Sequence, residues 1–283
     1  MRLGRSKGKD MDIDEYTKKM AELFSRNEWL SPSDKKSLDK LIRFGECIND
    51  ESKNMIYDLM LKYKKIPWTN YINLLIEIID NLPLAKFHKI KSFYVLPIIQ
   101  ECDKGKPKSS TTVAYAFKSP EISENIFFEN KKMIVNDIKG IPQNINKSST
   151  SNVILVDDFV GTGESALTFL EENEYIKNIN KDKIFFIFIA GMQDGIKRIQ
   201  EKGYTVFCSY IQEKGIDSIP NLNKKQEYIL LMEKLETSYS IKENVKFGYG
   251  HSEALISLVR TPNNTFPIFW DGKKNIYAPF ERK

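Results

Sequence analysis

Through about residue 85 the apolar positions recur at three- and four-residue spacing; beyond residue 90 they gather into short unbroken runs. In "DIDEYTKKMAELFSRNEWL", Ile13, Tyr16, Met20, Leu23 and Phe24 fall on one face of a helix. Asp12 stands where an N-cap belongs, with Glu15 three positions on. "SPSDKKSLDKLIRFGECI" restarts the pattern: Ser31 can cap, Pro32 suits the first helical position, and Leu38, Leu41 and Ile42 form the stripe. A third helix carries Met55, Ile56, Leu59, Met60 and Tyr63 and is ended by Pro67. The fourth carries Tyr71, Leu74, Leu75, Ile78, Ile79 and Leu82 and is ended by Pro83. These helices hold no catalytic cluster, and Trp29 and Trp68 read as core or interface residues. The expectation is an α-helical region over residues 1–88 that packs or docks a partner.

The second pattern predicts strands at "FYVLPII" (93–99), "VILV" (153–156), "KIFFIFIAG" (183–191), "YTVFCSY" (204–210) and "ALISLV" (254–259). Helical stretches separate several of them, including "MQDGIKRIQEKG" (192–203) and "KKQEYILLMEKLETSY" (224–239). Continuous apolar strands alternating with helices predict an α/β domain over residues 89–283. Its sheet should be mostly parallel and twisted, with flanking helices on both faces. Such sheets bind ligands at the carboxyl ends of their strands. No internal repeat is present, and the one low-complexity linker is the polar "QNINKSSTSN" (143–152).

Composition narrows the classes. The 283 residues suffice for one large or two modest domains, and 41% hydrophobic content with 12% aromatics is that of a folded chain. The longest apolar run, "IFFIFIAGM" (184–192), is strand-sized and too short for a membrane span. "MRLGRSKGKDMD" at the amino terminus lacks the apolar stretch of a secretory signal. Cys47, Cys102 and Cys208 are unpaired in spacing, and His88 and His251 lie far apart. The expectation is a cytoplasmic protein, metal-free in its structural core. The net charge of +5 comes from 43 Lys and Arg against 38 Asp and Glu, so local clusters such as "KGKPK" (104–108) matter more than the total.

The chemistry concentrates in "NVILVDDFVGTGESALTFLEE" (152–172), where Asp157 and Asp158 close an apolar strand and a Gly-Thr-Gly turn opens a helix. A Walker loop needs Lys after its last glycine, and none follows Gly163. A dinucleotide fingerprint is formally present as Gly161, Gly163 and Ala166, but the two aspartates ahead of it would repel a pyrophosphate. A response-regulator pocket needs a further Asp at the end of a later strand, and "FFIFIAG" ends without one. The plain alternative is a polar turn with one aspartate capping.

The pattern Asp-Asp-x-x-Gly-Thr-Gly-x-Ser after four apolar residues resembles the 5-phosphoribosyl-1-diphosphate (PRPP) loop of type I phosphoribosyltransferases. The resemblance implies that the loop cradles the 5′-phosphate while the acids meet the ribose hydroxyls. The residues support this independently. Gly161 and Gly163 let backbone approach a phosphate closely. The N–H groups from Val160 to Glu164 would face an anion at a helix N-terminus, with Thr162 and Ser165 adding hydroxyls. Asp157 and Asp158 suit a diol, which supplies donors, and Mg²⁺ carried by the diphosphate would relieve their mutual repulsion. The ion is expected through the diphosphate, with Asp157 and Asp158 as its only candidate protein contacts.

In members of that family acting on purines, an Asp often precedes the Thr-Gly pair; here the position is Gly161. The family's diphosphate loop follows its first strand, where this chain has "LPIIQECDKGKPKSSTTVAY" (96–115). The resemblance makes Gly105, Lys106, Lys108, Ser109 and Ser110 candidate oxygen ligands, with lysine charge opposite a departing anion. A solvated basic loop is the equal alternative for Lys106 and Lys108. Residues 118–150 align with no catalytic loop.

The ending "EALISLVRTPNNTFPIFWDGKKNIYAPFERK" resembles that of phosphoribosyltransferase-like effectors of bacterial conflict (antiphage) loci, some encoded beside retron reverse transcriptases. Thr261, Pro262, Asn263, Asn264, Thr265, Pro267, Trp270, Pro279 and Arg282 carry that likeness. Asn263 and Asn264 are base-side candidates, or simply a Pro-Asn-Asn turn. Three functions remain open on the sequence. One is an enzyme acting at ribose C1 of PRPP or a nucleotide, with Asp157, Asp158, Lys106 and Lys108 as its catalytic residues. The second is a non-catalytic nucleotide sensor. The third is a structural subunit docking through its N-terminal helices, for instance onto a reverse transcriptase–nucleic acid complex.

Overall fold

The computed structural model describes residues 11–135 and 138–282. The basic stretch 1–10 therefore lies outside the described residues, as do positions 136 and 137 within the segment 118–150. Among the described residues the strands run in chain order as β1 (Lys64–Lys65), β2 (Ser92–Pro97), β3 (Lys132–Val135), β4 (Ser151–Val160), β5 (Ile184–Met192), β6 (Thr205–Gln212) and β7 (Ile256–Ser257). The chain divides into two units, one of Ile66–Glu213 and one of Met1–Lys65 with Lys214–Lys283.

In the unit Ile66–Glu213 five strands form a sheet in the order β3-β2-β4-β5-β6, and every neighbouring pair is parallel. This is the α/β class expected from the alternation of apolar runs and helices. Strand periodicity sorts the side chains into two layers. Tyr94, Leu96, Val153, Leu155, Ile184, Phe186 and Phe188 pack with Ala166, Phe169, Leu170, Ile196 and Ile199 from the helices Glu164–Glu172 and Gln193–Glu201. The intervening Phe93 and Phe185 turn to the other face, where Phe87 meets them at ring-centroid distances of 6.0 and 5.0 Å and Phe127 meets Phe93 at 5.7 Å. Full burial of β5 across nine residues follows from helices covering both faces. β4, at the centre, runs ten residues rather than the expected four, so the acid pair lies within the strand and not beyond it. β3 was not expected: "KMIV" is an edge strand of four residues, too short to stand out in the pattern.

The other unit departs from the expected division at residue 88. Its helices Ile13–Arg26, Pro32–Glu46 and Asp50–Lys62 begin as the sequence suggests, with Asp12 accepting from the Glu15 N–H at 2.9 Å and Ser31 and Asp34 forming a capping box. Their apolar stripes are covered by the chain's own C-terminal segment. Tyr16, Met20, Phe44, Met55 and Met60 share one core with Ile216, Tyr228, Met232, Leu255, Phe266, Phe269 and Phe280. "ALISLV" contributes no strand to the main sheet; its Ile256–Ser257 pair instead with Lys64–Lys65. The fourth helix, Tyr71–Asp80, belongs with the five-stranded sheet. The contacts thus place residues 66–88 with the sheet and residues 214–283 with the first three helices.

Candidate functional site

Asp157 and Asp158 stand next to each other near the carboxyl end of β4, the central strand. Asp158 is 6% exposed, and each of its oxygens accepts a hydroxyl: Oδ1 from Ser109 at 2.7 Å, Oδ2 from Tyr71 at 3.1 Å. Asp157 is half-buried. Its Oδ1 accepts from the Asp158 N–H at 2.9 Å and from Ser109 at 3.4 Å, while its Oδ2 accepts no hydrogen bond from the described residues. Burial pushes both carboxyls above the ordinary carboxylate range. The neighbouring charge of Asp158 then raises Asp157 further, whereas the Ser109 hydroxyl works to hold Asp158 ionised.

β4 ends at Val160, residues 161–163 bend, and the helix Glu164–Glu172 begins. Gly163 takes φ +77°, a left-handed conformation that an L side chain adopts at a cost. Gly195, in the helix after β5, comes so close that a Cβ there would sit 2.1 Å from the Gly161 carbonyl oxygen. Thr162 Oγ1 accepts from the Glu164 N–H at 3.3 Å, and Arg198 donates to the Thr162 carbonyl at 3.3 Å. Val160 is buried, Gly161 and Thr162 half-buried, and Glu164 and Ser165 exposed. The first-turn N–H groups of this nine-residue helix lack helical partners by construction. A shaped backbone loop therefore follows the acid pair directly.

The segment after β2 pairs two of its lysines with its own Asp103. Lys106 and Lys108 both contact Asp103, at 3.1 and 2.5 Å, and Lys106 also donates to the Cys102 carbonyl at 2.8 Å. Hydrogen bonds from Lys108 and then Lys106 hold the Asp103 carboxyl below its ordinary range. Gly105, at φ +78°, has open space around it. Ser110, 1% exposed, donates to the Ile98 carbonyl at 2.9 Å. Ser109, at the start of the helix Ser109–Ala116, hydrogen-bonds to Asp157 and Asp158, and the Lys108 charge reaches Asp157, working to lower its carboxyl.

Asn263 and Asn264 belong to the other unit, where they build a turn. The Asn264 amide, 8% exposed, donates to Ser252 at 2.8 Å and to the Tyr249 carbonyl at 3.2 Å, and the Asn263 carbonyl accepts from the Tyr249 N–H at 2.8 Å. The surrounding motif is also bonded internally: Thr261 donates to the Phe280 carbonyl, and the Trp270 indole to the Thr265 carbonyl.

Three residues of the site escape sequence reasoning. Tyr71 reads only as one member of an apolar stripe, since nothing local shows its hydroxyl meeting Asp158. Gly195 looks like an ordinary weak point in a helix, and Asp103 like one acid in a charged loop. No group of three or more His, Cys, Asp or Glu among the described residues is placed to hold a metal ion. No helix among them is long and apolar enough to cross a membrane.

Several solved structures resemble the chain. A purine phosphoribosyltransferase from Pyrococcus horikoshii Ot3 matches at 15% identity over 53% of this chain and 89% of its own, with a TM-score of 0.30. An APRTase from Giardia lamblia complexed with 9-deazaadenine matches at 10% identity over 51% and 78%, TM-score 0.31. The orotate phosphoribosyltransferase of Mycobacterium tuberculosis H37Rv, in complex with inorganic phosphate, matches at 13% identity over 58% and 77%, TM-score 0.29. No curated protein matches the chain. A family described as PRTase-CE matches residues 49–282. That span takes in the five-stranded sheet, the acid pair with its glycine loop and the C-terminal motif, and the chain belongs to the PRTase-CE family.

Proposed function

We propose that this phosphoribosyltransferase-like chain binds a phosphorylated ribose ligand, PRPP or a nucleotide, with Mg²⁺, and acts at ribose C1. The observation that carries the reading is Asp157, whose Oδ2 accepts no N–H or hydroxyl from the described residues and which stands shortly before a glycine loop that opens a helix. A ribose diol supplies the donors such an oxygen lacks, and the loop's N–H groups suit the 5′-phosphate of the same molecule. Lys106 and Lys108, released from Asp103, would face the departing diphosphate. The C1–O bond to that group breaks as a bond forms from C1 to a base nitrogen or to water. For a nucleotide, the bond between C1 and the base nitrogen breaks as C1 bonds to water, whose proton goes to the departing base.

Mg²⁺ fits here as an ion brought by the ligand. It keeps waters and substrate phosphates in its shell and asks the protein for one or two carboxylates. Asp157 answers that description, and no protein cage is needed. The ion would neutralise charge on the leaving diphosphate.

A sensor without turnover is the second reading, and Gly161 favours it, because no acid or base stands there to assist at a base. The C-terminal motif from Thr261 to Arg282 supports an effector role in antiphage defence, alone or beside a retron-type reverse transcriptase complex. Calorimetric titration of Mg²⁺·PRPP into the full chain and into Asp157→Asn/Asp158→Asn tests the reading. Binding lost in the double variant upholds it; no binding to the wild type sinks it. Release of diphosphate or free base on incubation then separates enzyme from sensor.

A further inference from the structure

Asp157 and Asp158 are chemically alike and adjacent, yet they are engaged differently. A hydroxyl already occupies each oxygen of Asp158, from Ser109 on one side and Tyr71 on the other, and the residue is 6% exposed. Each of those oxygens keeps a second lone pair, but the packing that buries Asp158 leaves a diol little room to reach it. Asp157 is less buried, and beyond its contact with the Asp158 carboxyl its Oδ2 accepts no N–H or hydroxyl from the described residues.

Tyr71 stands at the start of the helix Tyr71–Asp80, is 1% exposed and rests against the Trp68 ring at 4.9 Å. Fixing a tyrosine hydroxyl costs little rotamer entropy compared with a flexible side chain. In a buried setting its bond to a carboxylate is stronger than in water.

We propose that Tyr71 is a positioning residue: with Ser109 it holds Asp158 in place, so that Asp158 orients the site and Asp157 alone is presented to the ribose hydroxyls. The Asp157 assignment rests on the proposed function; the Tyr71–Asp158 link does not. The link ties a helix that precedes the sheet in sequence to the end of its central strand, and it makes the two acids unequal.

Two double-mutant cycles decide the matter on the full chain. The first reads calorimetric affinity for Mg²⁺·PRPP. Asp157→Asn should weaken binding about a hundredfold, and Asp158→Asn or Tyr71→Phe about tenfold each, the scale of one hydrogen bond to a charged group. In an Asp158→Ala background, which leaves the Tyr71 hydroxyl no partner at position 158, Tyr71→Phe should cost nothing further, a result that a merely structural tyrosine would not give. Additive losses, or a larger loss for Asp158→Asn than for Asp157→Asn, would overturn the proposal. The second cycle uses urea denaturation of the same Tyr71 and Asp158 variants without ligand. Non-additive midpoints are expected, and additive ones overturn the link whether or not PRPP binds. If the wild type binds no PRPP, the proposed function and the role of Asp157 fall together, and the ligand-free cycle alone judges Tyr71. Ser109→Ala serves as the second route to Asp158, should Tyr71→Phe disturb the fold.

Discussion

The Ser109 hydroxyl lies 2.7 Å from one oxygen of Asp158 and 3.4 Å from one oxygen of Asp157, so a single side chain at the start of the helix after β2 reaches both acids of β4. That arrangement changes what the segment after β2 is for. Ser109, chosen from sequence as a diphosphate ligand, joins two segments of the site before any ligand arrives. The loop's charge is likewise engaged, through Asp103. Binding would therefore exchange internal partners for ligand atoms, and each exchange can be tested.

Asp157→Asn should stabilise the protein near neutral pH. Burial, then the Asp158 charge, raises the Asp157 carboxyl above its usual 3.8, so the folded state holds a proton that the unfolded chain releases. Stability present at low pH is consequently lost as pH rises from about 4 toward the folded value, each unit of separation being worth about 1.4 kcal/mol. The asparagine variant should show a flatter profile and a higher melting temperature at pH 7. A melting series from pH 4 to pH 8 checks this, and an equal slope in both proteins would refute it.

Gly195→Ala should break the loop without touching a ligand group. A methyl there would lie 2.1 Å from the Gly161 carbonyl oxygen, which is backbone and cannot swing aside. Overpacking of this kind costs about 1–3 kcal/mol. The denaturation midpoint should drop, and affinity for Mg²⁺·PRPP should fall with it. Gly105→Ala is the control: it has open space but φ +78°, so it should cost about 1–2 kcal/mol through backbone strain while leaving the Gly161–Gly195 approach intact.

Local patterns carried much of this into view. The N-caps at Asp12 and Ser31, the parallel sheet and the strand–turn–helix at 151–172 are set by neighbours in sequence, and the chain shows them in its spacing. What stayed hidden depends on residues far apart. "ALISLV" has the composition of a buried strand, but two of its residues pair with Lys64 and Lys65, which no local period can reveal. The stripes of the first three helices look available for a partner until Phe266, Phe269 and Phe280 are seen to fill them. Tyr71 has the same apolar signature as its neighbours in the helix, and its hydroxyl acquires meaning only beside Asp158, 87 positions later.

Asp103→Asn should tighten diphosphate binding. Asp103 currently contacts both Lys106 and Lys108, and removing its charge leaves two ammonium groups for an incoming anion. The lysines are 63% and 35% exposed, so losing the pairs should move the melting temperature little. Titration with inorganic pyrophosphate, repeated at two salt concentrations, should show a gain of several-fold that shrinks at the higher salt. Weaker binding in the variant would mean that Asp103 aims the lysines instead of competing for them.

Glu236 offers a pH test independent of any ligand. The residue is fully buried on the helix Leu222–Ser238; one carboxyl oxygen accepts from the Phe247 N–H at 2.9 Å, and the other finds no partner. Burial pushes this carboxyl up to about 8, against the Phe247 hydrogen bond and the Lys246 charge, which act to lower it. The folded state therefore keeps a proton that an unfolded glutamate gives up near 4.5. Its contribution is complete below that value and is lost as pH climbs toward 8, a change of about 5 kcal/mol across the window. Glu236→Gln keeps an oxygen for Phe247 and removes the charge. The variant should match the wild type at pH 4.5 and exceed it progressively above pH 6. Urea midpoints at pH 4.5, 6.5 and 8.5 measure the difference directly. Curves that stay parallel would mean that Glu236 is charged in the fold, with its second oxygen satisfied by water.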